Sequence, residues 1–122
     1  MGVFSDLFNF GEKVKWFKVF NSLQEAEKTI PLFKSVTLDV NNQLVCLSRL
    51  PDGFYAVQDK CPHLGASLSA GKCNALGEIV CPWHSYRFNL KRGDETTGQN
   101  LVLEIFKVEL RKDGLYVGKI LT

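Results

Sequence analysis

The stretch Cys61-Pro62-His63-Leu64-Gly65-Ala66, answered after residues 67–80 by Cys81-Pro82-Trp83-His84-Ser85-Tyr86, decides how this chain is read. The sequence holds 2 histidines, and both are here. One residue separates Cys61 from His63, and two separate Cys81 from His84. Two thiolates and two imidazoles make a four-ligand set of the kind that holds zinc or an iron–sulfur cluster. Zinc fingers usually group their ligands by type, a Cys pair and then a His pair. Here each half offers one Cys and one His. That suits a site with two unlike ends, such as a [2Fe–2S] cluster in which two His replace two Cys on one iron. Zinc in the same four ligands is the alternative.

Outward from this stretch the only persistent period is two. Val36, Leu38 and Val40 alternate with Ser35, Thr37 and Asp39, as in a half-buried strand. Asn41-Asn42 reads as a hairpin turn, residues 43–50 as the return strand, Pro51-Asp52-Gly53 as a second turn and residues 54–58 as another strand. Before them, residues 14–20 (VKWFKVF) read as the first strand, with Trp16 in the core. Ser22 with Glu25 is a capping-box pattern for a helical turn. Past the first Cys-His loop, Gly71 and Gly77 suggest turns around residues 72–76. Residues 78–80 lead in to the second loop, and residues 86–90 lead out to a turn at 91–94. Residues 94–100 (DETTGQN) read as a polar surface loop, residues 101–110 as a long strand, and Asp113-Gly114 as a hairpin. The expected class is all-β with antiparallel pairing.

With 122 residues, the chain is expected to form a single domain, 1–122, that buries a core without disulfide staples. A net charge of +2 and the lack of a basic run among aromatics speak against nucleic acid. Of the 4 cysteines, Cys46 and Cys73 read as buried or half-buried free thiols, with a Cys46–Cys73 bridge as the alternative. Free thiols suit a reducing compartment, so a cytoplasmic location is expected. No run reaches transmembrane length and no membrane association is expected. The segment 1–12 carries Val3, Phe4, Leu7 and Phe8 at near-helical spacing and reads as peripheral.

The run CPHLGASLSAGKC followed by GEIVCPWHSYRFNLKRG resembles the Rieske proteins, and among them the small soluble Rieske-type ferredoxins. The resemblance implies an antiparallel Rieske fold: base sheets with a small inserted cluster-binding subdomain, here at about 59–88. It implies one [2Fe–2S] cluster per chain, with Cys61 and Cys81 on one iron and His63 and His84 on the other. Leu64 and Trp83 flank the two His, to shield the cluster or to dock a partner. Gly65 allows close backbone approach. Members of the family usually carry Gly directly after the second His; Ser85 stands there instead, and is strained if that position needs φ > 0. High-potential relatives have an extra Cys pair clamping the loops, at the positions of Ala66 and Trp83. They also carry hydroxyl donors to cluster sulfur at the positions of Tyr86 and Phe88. Without them the expected potential is near the low end of the Rieske range, around −150 mV.

The function so implied is one-electron transfer, not catalysis. The chain is expected to be a monomeric ferredoxin, a component of an oxidoreductase system. It takes electrons from a flavin-dependent reductase and passes them to a terminal oxygenase or another acceptor. With both His used, none is left for the 2-His-1-carboxylate iron at which an oxygenase activates O₂. The alternatives are a small Rieske subunit of a larger, nitrite-reductase-like oxidoreductase and a zinc-binding structural module.

Overall fold

Two-residue turns set the register of the main sheet. In the computed structural model, which describes residues 13–121, β2 (Ser35–Val40) and β3 (Gln43–Leu50) pair antiparallel with Val40 opposite Gln43. Asn41 and Asn42 both take left-handed φ, 53° and 65°, as a type I′ hairpin turn needs. β3 then pairs with β4 (Gly53–Gln58), Leu50 opposite Gly53. β8 (Ile105–Arg111) and β9 (Gly114–Ile120) close around Lys112 and Asp113, one residue earlier than Asp113-Gly114, because Gly114 already pairs with Arg111. β1 (Val14–Phe20) lies along β9, so the 6-stranded sheet runs β1-β9-β8-β4-β3-β2. The apolar residues Val3, Phe4, Leu7 and Phe8 lie outside the described part of the chain.

Helix α1 (Leu23–Thr29) follows β1. Ser22 Oγ accepts from Glu25 N–H, and the Glu25 carboxylate reaches back to Asn21 N–H, which satisfies two donors at the helix start. Its buried Ala26, with Ile30 beyond it, packs on Val45, Leu47, Ala56 and Val117.

The other face of β3 and β4 is buried too. Successive strand residues point to opposite sides. Val45 and Leu47 therefore enter the core beneath α1, while Cys46 and Leu50 enter a second core with Val57, Leu68, Ile79, Phe88 and Leu103. That second core carries a 3-stranded sheet of β5 (Lys72–Cys73), β6 (Glu78–Val80) and β7 (Arg87–Asn89). Cys61 and Cys81 are members of this core, so the base sheet is the floor of the site.

Four expectations are corrected. Lys72–Cys73 is a strand, and the turn is confined to Asn74–Gly77, closed by Gly77 N–H to Asn74 O. Residues 94–100 are not all surface: Glu95 is buried, accepting from the backbone N–H groups of Thr97 and Gln99. The long strand begins only at Ile105, because Leu103 turns into the second core and its N–H bonds Gly93 O. Trp16 is half-buried, with the Arg111 guanidinium 4.9 Å from its ring.

Candidate metal centre

The two Cys-His segments are folded into matching loops. Cys61 N–H donates to Ala66 O at 2.8 Å, and Cys81 N–H donates to Tyr86 O at 2.8 Å. Each loop thus closes on the residue five places after its Cys. The fourth place after Cys is left-handed in both: Gly65 at φ 78° and Ser85 at φ 58°. Gly adopts this at no steric cost, whereas Ser does so against its Cβ. His84 is also left-handed, at φ 65°. The strain expected at Ser85 is therefore present.

β6 delivers the chain into the second loop and β7 leads it out, with Val80 opposite Arg87. The first loop is anchored by Asp59, which sequence reasoning missed. Its buried carboxylate accepts Ser67 O–H at 2.7 Å and Ser69 N–H at 2.9 Å, while its backbone O accepts Leu68 N–H. Ser69 in turn bonds Thr37 on β2. Nothing in the sequence marks Asp59, because these partners meet only in three dimensions.

The four candidate ligands come together as two pairs. Cys61 and Cys81 are each 1% exposed, and they are near enough for Cys61 to raise the Cys81 thiol pKa. Burial raises the Cys81 thiol pKa; a hydrogen bond from Trp83 N–H opposes that rise, and the Cys61 neighbour adds to it. The rings of His63 and His84 face each other edge-on, 5.2 Å between centroids. His63 is half-buried, with the Tyr86 ring 4.3 Å from its own, and His84 is exposed. His63 Nδ1 is buried and has no hydrogen-bond partner among the described residues. A buried nitrogen without a partner is costly, and a metal bond is one way to satisfy it.

This arrangement fits a two-iron group with unlike ends. Thiol is paired with thiol and imidazole with imidazole, and among the described residues no three of His, Cys, Asp or Glu converge as ligands of one ion must. Leu64 and Trp83 stand out at the tip, 54% and 52% exposed, with Pro62 and Pro82 beside them. Cys46 and Cys73 are free thiols, the first in the core that holds Cys61 and Cys81 and the second packed against it. Cys46 is hydrogen-bonded to Ser48, and burial pushes its pKa to about 12, which leaves it inert.

Comparison with known proteins agrees. Human apoptosis-inducing factor 3 is 40% identical over 65 residues, 52% of this chain and 11% of that protein. Ferredoxin CarAc of Metapseudomonas resinovorans is 38% identical over 71 residues, 57% of this chain and 64% of that one. In both cases the match spans less than two thirds of the relative's length. A chain from the complex of reduced oxygenase and oxidized ferredoxin in carbazole 1,9a-dioxygenase superposes with a TM-score of 0.71 at 29% identity. It covers 84% of this chain and 91% of that one. The family model of the Rieske [2Fe-2S] domain matches residues 15–106, and over that span, cysteine pair and histidine pair included, the chain belongs to the Rieske family and takes its [2Fe–2S] cluster as cofactor.

Proposed function

We propose that this chain is a one-electron carrier of the Rieske ferredoxin type. In this reading Cys61 and Cys81 hold one iron, and His63, through its buried Nδ1, holds the other with His84. The cluster supplies a site that gains and loses one electron without a change of bonding. The protein's own residues do the rest. Trp83 N–H donates to the Cys81 sulfur, Tyr86 covers the His63 ring, and the core of Phe88, Ile79 and Leu68 keeps water from the cysteine end. Residues 59–88 act as the cluster-binding subdomain of a single domain.

The observation that carries the reading is the contrast between the two ends. The thiols are sealed in the core, while His84, Leu64 and Trp83 on the two loops are exposed. A redox group with one edge outside can exchange electrons with a partner through a small apolar contact, as transient redox complexes do. Ferredoxins of oxygenase systems stand among the relatives, which supports a flavin-dependent reductase as donor and a terminal oxygenase or similar protein as acceptor. Among the described residues no helix is long and apolar enough to cross a membrane. We take the carrier to be monomeric and cytoplasmic.

The test is a reconstituted relay. Purified protein, an NADH-dependent flavin reductase of an aromatic-ring oxygenase system and a mild one-electron acceptor are mixed. Catalytic amounts of the chain should accelerate acceptor reduction, and Cys61→Ser should abolish both the colour and the acceleration. A coloured protein that is reduced chemically but relays nothing counts against the carrier role.

A further inference from the structure

The charges around the tip are one-sided. Neither loop, 61–66 nor 81–86, contains a charged residue. Every described carboxylate is already engaged. Most face a cation, as Asp52 faces Lys91 and Glu104 faces Lys119; the others, such as Asp59 and Glu95, accept hydrogen bonds from hydroxyl or backbone donors. Two exposed ammonium groups flank the loops, and neither is in an ion pair among the described residues. Lys60 immediately precedes the first loop and lays its stem along it: Lys60 Cγ and Cδ lie 3.7 and 3.8 Å from where a Cβ on Gly65 would stand. Lys72 pairs with Val80, next to Cys81, and borders a cleft with Pro82 and Ser85. The electron-exchanging edge is therefore an uncharged apolar cap with one free positive charge beside each loop.

We propose that the protein exchanging electrons with this chain carries carboxylates around its own redox centre, and that Lys60 and Lys72 steer it onto the tip. The proposal rests on the carrier reading above. Charges at the rim of a contact act mainly on the association rate and its salt dependence, because they pull over a Debye length and stay hydrated. A partner with a basic rim would meet like charge on both sides.

Small outer-sphere oxidants test this without the natural partner. The holo-protein is reduced, and its reoxidation is followed by stopped flow at low and high salt. The trianion hexacyanoferrate(III) and the trication hexaamminecobalt(III) serve as oxidants. One electron passes to hexacyanoferrate(III), giving hexacyanoferrate(II), with no bond made or broken. Its rate should fall as salt is added, whereas that of the cobalt complex should rise. Lys60→Gln with Lys72→Gln should slow the low-salt hexacyanoferrate reaction by roughly tenfold, the low end of electrostatic steering. Poly-L-glutamate should inhibit that reaction in the wild type and not in the double variant. Lys28→Gln with Lys112→Gln, exposed lysines on α1 and the β8–β9 turn, removes the same net charge away from the tip and should change little. Equal salt dependence for the two oxidants, or equal slowing by the two double variants, overturns the proposal and leaves the carrier reading intact. A protein with no reducible cluster overturns the carrier reading itself.

Discussion

At the scale of single residues, the two loops make an internal comparison. Gly65 and Ser85 occupy the same place after their cysteines and share a left-handed φ. A left-handed backbone costs a residue with a Cβ roughly 1–2 kcal/mol. Ser85→Gly should therefore raise the stability of the folded chain by up to about 1 kcal/mol, and Gly65→Ala should lower it by a similar amount. Denaturant unfolding of the two variants checks the pair; if both shift in the same direction, the loops are not equivalent. Asp59→Asn keeps the shape but removes the charge that Ser67 and Ser69 donate to, bonds worth about 1.5–3 kcal/mol to a charged acceptor. It should loosen the first loop and shorten the lifetime of the bound cluster, read as the rate of colour loss to a chelator. Cys46→Ser and Cys73→Ser should leave the visible spectrum unchanged, since the ligands proposed above are Cys61 and Cys81. Asp59 is also where the sequence is silent. Its carboxylate is buried by partners from a later turn, and no local pattern encodes that.

Elements differ in how much of them was legible. The β2–β3 and β3–β4 hairpins follow from alternation and turn residues, which are local signals: Asn41 and Asn42 tolerate positive φ, and the strand bounds at 35–40 and 43–50 agree with the pattern. The loop boundaries at Cys61 and Cys81 are legible for the same reason. What fixes β5 and ends the run at 101–104 is not local. β5 is a strand only because β6 returns beside it, and Leu103 leaves the strand direction because a core on the far side of β4 has room for it. Gly71 marks that return: a Cβ there would stand 1.9 Å from Val80 O. Gly71→Ala should force β5 away from β6 and cost about 1–3 kcal/mol, together with cluster retention, because Val80 leads directly into Cys81. Glu78 adds a pH dependence to the same sheet. Hydrogen bonds from Thr96 and Asn74, then the Arg87 charge, hold its carboxyl below its ordinary range. A depressed folded-state pKa contributes stability that is present above the unfolded value and is lost as pH falls through the folded one. The small sheet should thus loosen in acid, below the normal Glu range, and Glu78→Gln should flatten that acid limb in a pH series of unfolding midpoints.

The molecule as a whole should be a weakly oxidising carrier. Phe88 is fully buried in the core that holds Cys61 and Cys81 and has no hydroxyl to donate to sulfur. A donor that strengthens on reduction by about 1–2 kcal/mol is worth roughly 40–90 mV per bond for one electron. Phe88→Tyr should raise the midpoint potential by some tens of millivolts if the ring keeps its place. The base sheet, legible as all-β from its period of two, contributes the dry floor; the two loops carry the proposed ligands and the exposed edge. A potentiometric titration of the purified holo-protein, followed by visible absorbance, tests the low-potential cluster most directly. The protein should be brown-red and bleach in a single one-electron wave at about −150 mV, at the low end of the Rieske range. A colourless protein with no wave, or a midpoint above roughly +100 mV, would contradict that expectation.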